Sequence, residues 1–537
     1  MKKIIIISML ALFALAGMTQ KPLRVEIEAK SQADNYKIIP FGKKGVIVFC
    51  QSNEYSDKKN NKWYFTLYDT NFKEMWSKEQ AVLRNLSFRF FDYTNRYLYL
   101  YLENGTMNAR GSFQILKVDV DSLAITTYNS SIPVGCVVNG FKVLNGVAML
   151  SGRTLPSGGT NCLQMCFNMT CIPFFTGFTI VRIKPFLFQY DMNYGNSKMI
   201  TDLFKEQAYV ESLAVDTKDS LFVTSIKNHI PRNTNAMYID KFNTGGSKVS
   251  SLKLLTNNPK RKLNTAKVVS LSESDKIIIG TYNNYTSGNM ANPAFAGTSE
   301  SSTGIYFTKV VNDEQKFIKF YNFSKFPGFY SYLSAHRTEK IMKKEKKLEA
   351  KGGEMSFNYQ LLVHNIIKKD SNYIMIAEAY YPEYHSYTQT SWDSHGVPTT
   401  TTITIFDGYR YTNAVVACFD SEGELLWDNS FEIMNILTFN LHERVKVLLD
   451  GQDIILTYSY AGNIASKIIR NNEVIEGKQE TKIETNYDND KVLGDYNSDM
   501  EYWYGSYFIS YGYERIKNKT KDKTKRTVFY FNKMGFQ

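Results

Sequence analysis

One short apolar run returns along the chain, usually after a Lys, Asp, Asn or Gly. It reads "GVIVFCQ" from 45, "YLYLYLE" from 97, "GVAMLSG" from 146, "SLFVTSI" from 220, "KIIIGTY" from 276, "YIMIAEA" from 373, "DIILTYS" from 453 and "YFISYGY" from 507. Runs of this length, β-rich and bounded by turn residues, read as strands. Most follow a second short strand across a tight turn, as in "YKIIPFGKKGVIVF" and "ERVKVLLDGQDIILTY". Each is followed by a third strand, a polar turn and a fourth, as in "YFTLYDTNFKEMWSKEQ" and "SKIIRNNEVIEGKQETKIE". The eighth hairpin, "TVFYFNKMGFQ", has no fourth strand, whereas "PLRVEIEA" at 22–29 is a strand with no partner of its own.

Pairing that N-terminal strand beside the last one completes an eighth sheet and protects two edges. Four strands per unit, repeated radially, define a β-propeller. The expected fold is therefore all-β: one β-propeller domain over 21–537, with eight four-stranded blades and the ring closed by the N-terminal strand. Seven blades is the competing count, because the eighth unit is the most irregular. A sandwich or barrel explains the strand content but not a four-strand unit repeated eight times. The 14% aromatic content, with 37 Tyr and 35 Phe, agrees with β-structure.

The hairpin Asp420-Ser421-Glu422-Gly423-Glu424-Leu425-Leu426-Trp427 resembles the repeat of quinoprotein-like (PQQ-type) propellers, and Asp69 to Trp76 is a weaker echo. The resemblance covers two blades and concerns the fold, which does not carry function with it. It implies an Asp and a Gly at the turn and a Trp docked between neighbouring blades. The cofactor and calcium residues of a quinoprotein cannot be placed in this chain, so no cofactor is expected.

The first twenty residues change the picture of compartment. Lys2 and Lys3 precede the apolar run Ile4 to Leu15, and small residues follow, in the order of a secretory signal peptide cleaved between Ala16 and Gln20. Twelve residues are too few to cross a bilayer, which needs about 20. "LFALAGMTQKP" approaches a lipoprotein signal but has Met18 where the acylated Cys belongs, so no lipid anchor is expected. The chain reads as extracytoplasmic, in the periplasm, secreted or at the cell surface, without a transmembrane segment after signal removal.

Long segments at 153–186, 284–304, 323–354, 380–413 and 481–500 all fall on connections at one end of the sheets. Loops on a rigid scaffold are where binding residues concentrate. The richest, at 380–413, gathers Tyr384, His385, Tyr387, Trp392, Asp393, His395, Asp407, Tyr409 and Arg410. Its aromatic rings suit sugar or peptide, and its histidines can move protons near neutral pH. The plainer alternative is that the rings pack the loop down while both histidines face solvent. No fourth metal ligand is fixed by spacing, and no metal is expected.

Positive charge is equally uneven. Residues 336–351 contribute +4 and residues 515–526 contribute +6 of the formal +12. The first run reads as a solvated helix with opposite-charge pairs three and four apart. The second, with Lys517, Lys519, Lys521, Lys523, Lys525 and Arg526, reads as a basic surface loop for anionic lipid, acidic polysaccharide or an acidic partner. Nucleic acid is disfavoured, since no recognition motif accompanies the charge. Among the six cysteines, Cys162, Cys166 and Cys171 form the one cluster. Two of them are expected to form a disulfide, the third pairing with Cys136 or staying free. Cys50 and Cys418 read as small buried hydrophobes.

No nucleophile elbow, zincin motif, phosphate loop or calcium loop occurs. The expected function is a binding or scaffold module of the bacterial envelope that uses its looped face for a protein or glycan. The alternative is a glycan-active hydrolase or lyase at the central funnel, with Tyr384, His385, His395 and Arg410 converging.

Overall fold

The computed structural model describes residues 23–29, 35–94, 96–104, 111–154, 184–200, 208–228, 236–284, 301–326, 328, 335–351, 360–392, 397–487, 489–518 and 525–536. Among them the chain forms eight antiparallel sheets, six of four strands, one of five and one of six. Every recurring apolar run lies in the second strand of a sheet. The larger sheets keep the same plan. Their first strand is split, and the sixth adds the short strand Leu437–Thr438. The chain divides into two compact units, Met1–Ala81 with Arg444–Gln537, and Val82–Glu443.

The unit that holds both ends of the chain contains the first, seventh and eighth sheets. The eighth is built from Asp490–Tyr504, Tyr507–Asn518 and Arg526–Gly535, and Arg24–Glu28 supplies its fourth strand. As the sequence predicts, the N-terminal strand pairs antiparallel with the last one, from Arg24↔Asn532 to Glu28↔Val528. Alternation then sorts its side chains. Val25 and Ile27 pack on a core with Ile38, Val46, Phe72, Trp503, Phe529 and Phe531. The Trp503 indole donates to the Gly45 carbonyl at 2.9 Å, so its one polar atom is satisfied within that core.

The opposite face of the N-terminal strand is ionic. Arg24 donates to Glu26 at 2.9 Å and to Glu514 at 2.7 Å, and its guanidinium lies 4.4 Å from the centre of the Tyr530 ring. Arg526 bridges Glu26 at 3.0 Å and Asp490 at 2.5 Å. The side chains of Arg24 and Glu514 are almost without solvent. Beside them the Tyr530 hydroxyl donates to Asp495 at 2.8 Å. Burial pushes the Asp495 carboxyl up to about 7; the Tyr530 hydroxyl opposes this shift and the neighbouring charge of Glu514 reinforces it.

This corrects one expectation: Arg526 is no free surface cation. Strand alternation turns it onto the buried face, where Glu26 and Asp490 neutralise it. Lys525 is exposed, Lys517 is half-buried, and Lys519, Lys521 and Lys523 lie outside the described residues.

The second unit holds the second to sixth sheets. Buried apolar clusters join neighbouring sheets, for example Ile277, Phe307, Met375, Ala377 and Phe419 across the fifth and sixth. At the turn of the PQQ-like hairpin, the Asp420 carboxylate accepts from the amides of Glu422 and Glu424, and Gly423 takes a positive φ. Gly423 is required there twice over, because a Cβ would also strike the Phe307 ring. Trp427 is only half-buried. The ring docked at this turn is therefore Phe307 of the adjoining sheet, a departure from the expected Trp.

The first strands carry a repeated irregularity. In the second, third and fourth sheets one extra residue interrupts the ladder, at Arg89, Asn139 and Glu211. In the fifth and sixth, three residues, 264–266 and 364–366, stand opposite two of the second strand. Each bulge lies about five residues into the second strand, so it belongs to the repeat. A bulge re-aims a side chain and adds twist, and each of these includes a polar residue.

Of the segments read as insertions, 155–183 and 285–300 lie outside the described residues. The 323–354 segment contains the helix Ala335–Glu349. The 481–500 segment is largely strand, because Asp490–Tyr504 begins within it and pairs with Tyr507–Asn518.

Two measurements test the ionic face of the N-terminal strand. Arg24→Met leaves Glu514 buried and unpaired, and urea unfolding should show a loss of about 3 kcal/mol that Glu514→Gln in the same chain largely restores. Asp495 has its ordinary pKa near 3.9 when unfolded and about 7 when folded, so its contribution to stability is present below about pH 4 and is lost as pH rises through about 7. The unfolding free energy of Asp495→Asn should lack that decline.

Candidate functional site

The 380–413 segment is not a loop. It continues two strands of the sixth sheet, Asn372–Trp392 and Pro398–Phe419, paired as far as Trp392↔Pro398. The strand Gln360–Val363 stops opposite Tyr380, and Leu425–Glu432 stops opposite Asn413. Past Tyr409 and Arg410, which pair with Thr438 and Leu437, the hairpin runs on as an arm of two strands. Threonine explains why the sequence hides it. Thr399 to Thr402 and Thr404 are β-branched and favour strand, yet their hydroxyls break the apolar run by which strands are recognised.

The arm begins on a ridge of rings. Tyr380 and Tyr411 are buried, with centroids 6.1 Å apart. Tyr409 follows at 5.6 Å from Tyr380, then Phe406 at 5.0 Å from Tyr409, then Tyr384 at 5.4 Å from Phe406. Burial raises the Tyr409 hydroxyl above its ordinary pKa, with Tyr384 adding to it. Gly408, at φ 134°, sits at the bulge where the register shifts and packs on the Thr438 backbone. Beyond the bulge the side chains are exposed, apart from the half-buried Ile403 and Phe406. Tyr384 and Tyr387 leave nearly half their surface to solvent and Trp392 leaves 69%.

The polar members are tied to neighbours on the arm. Arg410 grips Glu383 through Nε and Nη2, and this holds the Glu383 carboxyl below its ordinary range. His385 Nδ1 lies 2.5 Å from Asp407 Oδ1. Tyr384 and His385 are consecutive on a strand and point to opposite faces. The structure therefore brings Tyr384 and Tyr409 together on the ring ridge, but it does not gather Tyr384, His385 and Arg410 in one pocket. Asp393 and His395 lie outside the described residues. No group of three or more metal-ligating side chains occurs among the described residues.

Cys136 begins a strand and is half-buried, and burial pushes its thiol up to about 11. Cys162, Cys166 and Cys171 lie outside the described residues. Cys418 is buried between strands, as expected of a small hydrophobe.

Sequence reasoning missed a buried polar pair at the arm's base. His364 Nε2 lies 2.7 Å from Glu378 Oε1, and neither residue keeps more than 7% of its surface. Its other ring nitrogen is 3.9 Å from Glu443 Oε2. His364 stands in the bulge of the first strand, and Glu378 lies two residues before Tyr380 on the second. The pair thus fixes the innermost strand against the strand that becomes the arm. A polar "HN" breaking the run "LLVHNIIKK" was the available signal.

No family model matches this chain, and no curated protein matches it. Among solved structures it is similar to the polysaccharide lyase Uly1, at 8% identity over 96% of this chain and all of that one, with a TM-score of 0.40. It is also similar to cobalt-substituted Synechocystis apocarotenoid oxygenase, at 10% identity over 54% of this chain and 64% of that one, with a TM-score of 0.29. Likeness at this level assigns no activity to the chain.

The base and the arm should separate experimentally. Replacing residues 386–404 by a tight Gly-containing turn keeps the His385–Asp407 pair and should leave the unfolding midpoint nearly unchanged. Glu378→Ala strands a buried imidazole and should cost about 2 kcal/mol in urea unfolding.

Proposed function

We propose that this chain is an exported envelope protein, an eight-bladed β-propeller closed by its N-terminal strand, that binds a protein or glycan partner through the arm of its sixth sheet. The observation that carries this reading is the arm itself: it exposes Tyr381, Tyr384, Tyr387 and Trp392 on a two-stranded ribbon. Between Ser386 and Phe406 its one formally charged residue is Asp393. Large amphipathic rings lose little entropy on binding and dominate contact energies. A hydrogen-bonded ribbon holds them in place before a ligand arrives, which lowers the cost of ordering.

Export is supported by the order of charged, apolar and small residues in the first twenty positions. No helix of the described residues is long and apolar enough to cross a membrane. The sheet count and the pairing of the two chain ends support the eight-bladed ring. The glycan-active alternative required four side chains in one pocket. Of these, Arg410 is held by Glu383 and His385 by Asp407 on one face of the ribbon, whereas Tyr384 lies on the other.

The full chain, immobilised, should capture a partner from envelope extract, and the chain lacking residues 386–404, with its fold confirmed by circular dichroism, should not. Undiminished capture would overturn the assignment of the arm.

A further inference from the structure

The helix Ala335–Glu349 lies between the fifth and sixth sheets in the chain. Ile341 and Leu348 pack on the cluster that includes Phe323, Phe326, Leu361 and Ala379. Leu361 and Ala379 are directly paired, one residue from the Gln360↔Tyr380 pair where the arm leaves the sheet. The helix is therefore docked on the core shared by the fifth sheet and the sheet that carries the arm, within the same compact unit. Arg337, Lys340, Lys344, Lys346 and Lys347 are all exposed and none is in an ion pair among the described residues; Lys340, Lys344 and Lys347, three and four apart, form one stripe beside the apolar one. Lys343 is the exception, held by Glu339 at 2.6 Å. Glu345 is turned inward, 4.0 Å from Lys325.

Like charges three and four apart destabilise a helix. Here Lys340 and Lys344 are four apart and Lys344 and Lys347 three apart, with no acidic residue of the described set spaced between them to compensate. The cations return at each turn, about 5.4 Å along the axis. A chain with regularly repeated anions would relieve that repulsion along the whole helix.

We infer that the ligand is a polyanionic glycan, bound with its anionic groups along the basic helix and its sugar rings on the aromatic arm. This rests on the arm as binding element and adds the ligand's chemical class. The rings supply flat apolar faces for pyranose rings, and the Thr-rich strand supplies hydroxyls for theirs. A membrane surface fits less well. A helix that lies in lipid needs a free apolar face, whereas Ile341 and Leu348 are used against the core and Met342 is the one large apolar residue exposed.

The test uses the full chain with polygalacturonate as the anionic probe, a neutral β-glucan as control and anionic phospholipid vesicles as the competing surface. Polygalacturonate should bind and the neutral glucan should not, with affinity falling steeply as salt is raised. Combined Lys340→Gln, Lys344→Gln and Lys347→Gln should weaken binding at low salt by at least about tenfold and flatten the salt dependence, as fewer counterions are released. Trp392→Ala should weaken it by about tenfold with the salt dependence unchanged. Equal binding of neutral glucan, a salt dependence indifferent to the lysines, or binding confined to vesicles would overturn the inference. If polygalacturonate fails while capture from extract still needs the arm, the ligand class falls and the arm stands. If the arm is dispensable for capture, both fall.

Discussion

The pairing of Arg24–Glu28 with Arg526–Gly535 joins residues some five hundred positions apart, and the unit holding both chain ends is organised by it. Without that fourth strand, Arg526–Gly535 would expose a row of backbone donors and acceptors. The N-terminal strand meets two different environments at once. Val25 and Ile27 complete an apolar core, whereas Arg24 and Glu26 enter an ionic one with Glu514, Arg526 and Asp490. Buried ion pairs add little net stability, since desolvation offsets attraction, but a partner left unpaired is costly. A strand one residue out of register would place Arg24 and Glu26 against Phe529 and Phe531. The charges thus act chiefly on register.

The sixth sheet solves a related problem in the opposite sense. Its second and third strands do not stop where their neighbours stop, so the ladder carries on into solvent with two open edges. Long exposed edges invite unwanted pairing. Here the bulge at Gly408 shifts the register at the start of the arm, and the ring ridge from Tyr411 to Tyr384 braces it. The His364–Glu378 pair anchors the innermost strand beneath. Rigid base and exposed tip are properties of one continuous hairpin, which is what a preformed contact element requires.

Much of this architecture was legible because strand burial imposes a period. The eight apolar runs are second strands, buried on both faces and written as nearly unbroken hydrophobic words such as "KIIIGTY". The arm escaped because Thr satisfies the backbone preference of a strand without looking apolar. Arg526 was misjudged because charge in a row reads as surface, while alternation sends every second residue inward. The bulges left no pattern of their own: one inserted residue costs a single break in alternation, as at His364, and resembles ordinary variation.

The sequence by itself determined the all-β character, the four-strand repeat, the partner of the N-terminal strand and the concentration of rings at 380–413. These depend on local preference and periodic burial, which are written residue by residue. Only the tertiary structure decided that Arg24 meets Glu514, that Phe307 fills the turn at Gly423, and that a basic helix docks on a core shared with the sheet that carries the aromatic arm. Those contacts join residues far apart in the chain, and their geometry follows from how neighbouring sheets bury each other's faces.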